Sequence, residues 1–193
     1  MKRKGIKNLL IDFGGVLINL DRPRCIENFK KLGLQNVDEL LNVYHQQGIF
    51  MQQEKGLVTS AEFRDVIRQM VGKPLTDQQI DDAWNSFLVD IPTYKLDLLL
   101  KLREKYVVYL LSNTNDIHWK CENVFPYRGF QVEDYFEKIY LSFEMKMVKP
   151  DTEIFETVLA DANIDPKETF FIDDSEANCL AAQALGISTY TPQ

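Results

Sequence analysis

The sequence is poor in the residues that build disulfide scaffolds and thiolate metal sites. It has three cysteines, Cys25, Cys121 and Cys179, and only two histidines in 193 residues. An odd number of widely spaced cysteines gives no disulfide framework and no zinc pattern, and reduced thiols of this kind suit a cytoplasmic protein. Positive charge is also scarce. The 22 basic side chains face 29 acidic ones, a formal net charge of −7, so no basic stripe is present for nucleic acid or an anionic membrane surface. Any phosphate handled here must be held by a few placed groups. Long apolar runs are missing as well, and no stretch reaches the length that spans a bilayer. Met1-Lys2-Arg3-Lys4 has the charge of a signal-peptide start, but Asp12 and Asn19 interrupt the apolar run behind it, and no small-residue cleavage site follows. Repeats, linkers and low-complexity segments are absent. What is there, 45% hydrophobic residues, has room for one core or for a core and a small accessory domain.

The chain is organised around Leu9-Leu10-Ile11-Asp12-Phe13-Gly14-Gly15-Val16-Leu17. A short apolar run bounded by a turn signal suits a strand buried on both faces, as in a parallel sheet. Asp12 then sits at the carboxyl end of that strand, where open α/β sheets bind ligands. Gly14 and Gly15 let the backbone turn and approach whatever the carboxylate touches. An aspartate ahead of two glycines is commonly turn chemistry alone, so the rest of the chain decides.

After Leu20 the period becomes helical for about seventy residues. Ile26, Phe29 and Leu32 share one face ended by Gly33, and Asn36 can cap a second helix carrying Val37, Leu40, Leu41 and Tyr44. Gly48 and Gly56 bracket a polar, partly aromatic connection over 47–56, a place for substrate contacts. Thr59 to Glu62 and Thr76 to Gln79 read as capping boxes for two more helices. Four amphipathic helices without a strand predict a small helical bundle inserted into the fold. From Pro92 helix and strand alternate. Thr93 caps a helix, and strands are expected at 106–111, 138–141, 169–172 and 187–190, with Asp151 capping the helix before the third of these. Residues 116–136 form a partly helical excursion. The prediction is an α/β fold, a doubly wound parallel sheet with an inserted helical-bundle cap: 1–20 and 92–193 as core, 21–91 as cap.

Three strands end in polar signals: Asp12, then Ser112-Asn113, then Asp173-Asp174, with Lys149-Pro150 just before the helix that leads to the last. Three carboxylates at one sheet edge repel each other without a cation, and hard oxygen ligands suit Mg²⁺, which bridges to phosphate oxygens. A hydroxyl, an amide and a lysine are what a phosphoryl group's oxygens need. Each element has a plainer reading, as a cap, a surface lysine or a loop. Their order at successive strand ends points to phosphate chemistry.

With these motifs the chain resembles the haloacid dehalogenase (HAD) superfamily from about Ile6 to Tyr190. The matching stretches are Ile11-Asp12-Phe13-Gly14-Gly15-Val16, Leu111-Ser112-Asn113-Thr114-Asn115, Lys149-Pro150 and Phe171-Ile172-Asp173-Asp174-Ser175-Glu176-Ala177-Asn178. The insertion after the first motif looks like that superfamily's C1 cap. Ser-Asn-Thr-Asn followed by His118 resembles the bacterial α-D-glucose-1-phosphate phosphatase group. The resemblance implies a Rossmann-like core with strand order 5-4-1-2-3 by the superfamily's numbering. It implies Asp12 as nucleophile forming an aspartyl-phosphate, and Mg²⁺ held by Asp12, the carbonyl of Gly14 and Asp174, with Asp173 acting through a water. Ser112, Asn113 and Lys149 would bind the transferring phosphoryl group, near the backbone of Gly14 and Gly15. His118 has two readings, as a helix residue packing near the sheet end or as a group that contacts substrate or helps move a proton, since histidine titrates near neutrality. The implied partner is a small phosphate ester, and the implied state a monomer or weak homodimer.

One departure matters. Phosphatases of this superfamily carry a second aspartate two residues after the nucleophile, as general acid and base, and here that position is Gly14. Without a proton donor a leaving oxygen must carry negative charge itself, which favours a sugar 1-phosphate. A phosphate-binding or regulatory protein and a 2-haloacid dehalogenase are the alternatives.

Overall fold

The computed structural model describes residues 5–41, 47–121 and 131–192. Five parallel strands, β1 (Asn8–Ile11), β2 (Val107–Ser112), β3 (Lys138–Leu141), β4 (Thr169–Ile172) and β5 (Ser188–Tyr190), form one sheet in the order β3-β2-β1-β4-β5. The central strand β1 is buried at all four positions, as strands covered on both faces are. The second strand runs one residue later than its apolar run suggests, so Ser112 is itself its last residue.

Helices α1 (Arg22–Leu32), α2 (Val37–Leu40), α3 (Gly48–Glu54), α4 (Ser60–Val71) and α5 (Asp77–Asn85) lie between β1 and the rest of the sheet domain. Then follow α6 (Thr93–Arg103), α7 (Asp116–Trp119), α8 (Ser142–Met145), α9 (Thr152–Ala162) and α10 (Glu176–Ala184). On one face of the sheet Leu10, Tyr109, Leu111 and Phe171 pack with Ile154, Phe155 and Val158 of α9 and with Cys179 and Ala182 of α10. On the other, Leu9, Ile11, Val108 and Leu110 pack with Leu96 and Leu99 of α6 and with Tyr135. Phe155 meets Phe171 edge to face at 5.3 Å, and truncating such a buried ring costs about 3–5 kcal/mol.

The helical segment has its own core around Trp84, whose ring centroid lies 4.9 Å from that of Phe50 and 5.7 Å from that of Phe87. Its indole N–H donates to Gln53 Oε1 at 3.0 Å. Both capping boxes, at Thr59 and Thr76, are formed, and Gly33 ends α1 with φ +117. Three local expectations differ. The helix from Asn36 is a single turn: Asn36 makes no side-chain cap and Leu41 turns extended, while Tyr44 lies outside the described residues. The 47–56 connection is instead the helix α3, which buries Ile49, Phe50 and Gln53 on one face. Thr93 is the first residue of α6, with Pro92 at the cap position and no side-chain cap bond.

Where the chain leaves and re-enters the sheet domain, Asn19 and Asp90 bind side by side. The Asn19 amide donates to Asp90 O and the Val89 amide to Asn19 O, each at 2.9 Å. Among the described residues no strand of two or more residues lies between 21 and 91, and no helix is long and apolar enough to cross a membrane.

Candidate active site

Because β1 lies between β2 and β4, their carboxyl ends meet, the position at which open α/β sheets bind ligands. Asp12 follows β1 directly, and its amide donates to Ile172 O at 2.9 Å. Asp173 follows β4 directly. Lys149 arrives from the loop before α9, held from both sides by one side chain. Asn113 Oδ1 accepts from the Lys149 amide and Asn113 Nδ2 donates to the Lys149 carbonyl, both at 2.9 Å.

The lysine head then has three acceptors: Asp12 Oδ1 at 2.8 Å, Asp173 Oδ2 at 2.6 Å and Leu111 O at 3.0 Å. Lys149 is 1% exposed and Asp173 fully buried. Charges this deep need partners, and the one ammonium is shared by both carboxylates. Asp173 is further anchored by the Ser175 amide (2.8 Å) and by Asn178 Nδ2 (3.0 Å). Burial pushes the Asp12 carboxyl up to about 7, with Lys149 pulling it down and Asp173 and Asp174 adding to the rise. Asp174 is also raised, by burial and then by Asp173. Burial opposes the Lys149 charge, but Asp12 and Asp173 outweigh it and its pKa stands above the ordinary lysine value.

Asp12, Asp173 and Asp174 each place one carboxylate oxygen within 4.8 Å of the others. Gly15, at φ +71, makes room for that cluster, since a Cβ there would overlap the Asp174 carboxylate. Gly14 has less freedom than its missing side chain suggests. Leu20 Cδ1 lies 3.2 Å from where a Cβ would stand.

One cleft is lined by Asp12, Gly14, Ser112, Asn113, Lys149, Asp174 and His118, while Asp173 reaches it through Lys149 and Gly15 through Asp174. Two of these residues are engaged with the protein itself. The amide of Asn113 is spent on the Lys149 backbone. His118 is buried and donates its Nε2–H to Trp84 O at 3.1 Å, since a carbonyl can only accept. It stacks on Phe87 at 5.9 Å. Burial pushes its pKa down to about 4, so it is neutral at ordinary pH and joins α7 to the helical segment.

The helical segment also sends a carboxylate into the cleft, Glu54, at the end of α3. Sequence reasoning passed over it because a single glutamate in a segment read as a connection carries no pattern. Asn178 and Ser142 were likewise unassigned. Ser142 Oγ accepts from the Thr114 amide at 2.9 Å and donates to the Thr114 carbonyl at 3.0 Å, fixing the turn after β2.

The model of the haloacid dehalogenase-like hydrolase family matches residues 6–186. A D-ribitol-5-phosphate phosphatase from Bacteroides thetaiotaomicron is 40% identical over 97% of this chain and 92% of its own length. A crystal structure of a HAD-family enzyme from the same organism, an Asp12→Ala mutant in complex with magnesium and inorganic phosphate, superposes with TM-score 0.95 at 75% identity. That match covers 97% of this chain and 94% of the other. A HAD-like hydrolase from Porphyromonas gingivalis follows at TM-score 0.87 and 36% identity, over 97% and 91% of the two chains. An L-2-haloacid dehalogenase, at TM-score 0.60 and 15% identity, shares the fold. The chain belongs to the haloacid dehalogenase-like hydrolase family.

Proposed function

We infer that the chain is a Mg²⁺-dependent phosphatase of a small sugar or polyol phosphate, working through an aspartyl-phosphate on Asp12. The observation that carries this is the buried Lys149 ammonium shared by Asp12 and Asp173, with Asp174 closing the carboxylate cluster. The donor set fits the ion. Three hard oxygens converge there, their combined charge exceeds what one lysine balances, and Asn178 Oδ1 is a buried acceptor with no donor, a lack that hydrating waters would meet. Asp12, Asp174 and the Gly14 carbonyl would hold it, with Asp173 acting through a water. When bound, the ion neutralises charge on the phosphoryl oxygens. Asp12 attacks phosphorus in line, Lys149 and the Ser112 hydroxyl hold the transferring group, and Asn113 keeps Lys149 in place. Water then releases phosphate. The segment 21–91 serves as the cap that admits substrate.

The expectation of a sugar 1-phosphate rests on Gly14 and on the resemblance to the glucose-1-phosphate phosphatase group. The relative named for D-ribitol 5-phosphate is instead named for an ester of a terminal alcohol. Phosphate release from glucose 1-phosphate, glucose 6-phosphate and D-ribitol 5-phosphate, each with Mg²⁺ and with EDTA, tests the reading. Release from at least one ester that stops in EDTA is expected. No release from any, or halide release from a 2-haloacid instead, overturns it.

A further inference from the structure

The alkoxide of an alkyl phosphate is a poor leaving group without a proton, and the cleft offers few sources. Asp12 is the nucleophile, Lys149 has its three acceptors, and His118 has its Nε2–H on Trp84 O. Gly14 supplies nothing, with Leu20 packed over it. Among the described residues that line the cleft, one acidic group remains outside the metal cluster.

We propose that Glu54, brought over the site by α3, is the general acid and base of the reaction. The inference rests on the phosphatase reading above. As Asp12 Oδ bonds to phosphorus and the ester P–O bond breaks, the Glu54 carboxyl gives its proton to the departing alcohol oxygen. The carboxylate left behind takes a proton from the attacking water, whose oxygen bonds to phosphorus as the bond to Asp12 breaks. Phosphate leaves and Glu54 is again protonated.

The end of α3 is docked in three places. Next to Glu54, Gln53 accepts from the Trp84 indole at 3.0 Å. Lys55 Nζ lies 3.7 Å from Asp151 Oδ2, two residues beyond Lys149. Gly56, at φ +63, rests against the Phe143 carbonyl so closely that a Cβ would overlap it. These contacts set the glutamate in register with the lysine loop and α8. Glu54 is partly buried in the cleft, with Lys149 and Asp12 as its charged neighbours. Burial raises its carboxyl above the ordinary glutamate range. With a donor in the cap the leaving oxygen need not be acidic. Terminal phosphates of sugars and alditols then become substrates.

The test compares kcat/KM for D-ribitol 5-phosphate and for 2,4-dinitrophenyl phosphate, whose leaving group needs no proton, in wild type, Glu54→Gln and Glu54→Asp. Inorganic phosphate binding and circular dichroism check each fold. For Glu54→Gln a loss of ~10²–10⁴-fold on the alditol ester is expected, with less than about tenfold on the aryl ester and partial recovery in Glu54→Asp. Equal losses on both esters, or no loss on the alditol ester, overturn the role of Glu54 while leaving the phosphatase reading intact. A wild type inactive on every ester overturns both.

Discussion

The ammonium of Lys149 lies 2.8 Å from Asp12 Oδ1, and both side chains are almost sealed from water. That contact holds the Asp12 carboxyl far below where burial and two further aspartates would drive it. Lys149→Met removes the positive charge while keeping most of the volume. Loss of an electrostatic donor of this kind is worth ~10²–10³ in rate, and kcat should fall by that factor on every ester, good and poor leaving groups alike. Calorimetric titration with inorganic phosphate should show weakened binding. A variant that keeps wild-type kcat would remove Lys149 from the chemistry.

Gly15→Ala is expected to be costlier than an ordinary glycine substitution. The left-handed backbone alone costs roughly 1–2 kcal/mol for a residue with a Cβ, and the new methyl would also overlap the Asp174 carboxylate. Gly72→Ala is the control: its φ is +69, but the space around it is open. Both variants should lose stability in urea melts, while only Gly15→Ala should weaken Mg²⁺ binding by calorimetry. Equal Mg²⁺ affinity in the two would show that Asp174 does not depend on that glycine.

The sheet was legible because each strand is a short apolar run closed by a turn residue. Asp12, Ser112 and Asp173 fall at strand ends for the same reason. The capping boxes at Thr59 and Thr76 were legible because their two reciprocal bonds need fixed residue types three positions apart. α3 was not. Gly48 at its start and Gly56 just beyond it read as loop punctuation, and the packing of Ile49, Phe50 and Gln53 around Trp84 overrides that local preference. With the helix went Glu54, whose position over the site comes from a contact between Gly56 and Phe143, far apart in sequence. The role of Asn113 as the clamp on Lys149 was hidden for the same reason, since its partner is 36 residues away.

Gly56→Ala should act at a distance. Seating α3 against the Phe143 carbonyl leaves no room for a methyl, so the end of the helix must lift and carry Glu54 with it. Turnover of D-ribitol 5-phosphate should fall while phosphate binding at Lys149 and Ser112 persists. Parallel losses of binding and turnover would point to general unfolding instead.

Stability should respond to pH with two opposing signs in metal-free protein. His118, pushed down to about 4, binds fewer protons folded than unfolded between there and its ordinary value near 6.5. Its contribution is therefore present above that window and lost as pH falls through it. Asp12 and Glu54, pushed up to about 7 and about 8, bind more protons folded than unfolded above the ordinary carboxylate range. Theirs is lost as pH rises toward 8. Each limb has a limiting slope of about 1.4 kcal/mol per pH unit per proton. Between about 4 and 6.5 the histidine opposes the two carboxylates, so urea melts in EDTA should show His118→Phe steepening the fall of stability with rising pH in that window, and Glu54→Gln reducing the fall up to about pH 8. An unchanged slope between pH 4 and 6.5 in His118→Phe would mean that the histidine is not held neutral.

If Asp12 is the nucleophile, it carries the phosphoryl group between the two half-reactions. Wild-type enzyme mixed with a substrate ester and Mg²⁺, quenched in acid within one turnover and digested, should yield a peptide spanning Asp12 heavier by one phosphoryl group. The same peptide should be unmodified in EDTA, and Asp12→Asn should give neither the modified peptide nor phosphate release. Steady phosphate release with no modification at Asp12, or release that survives Asp12→Asn, would contradict the account.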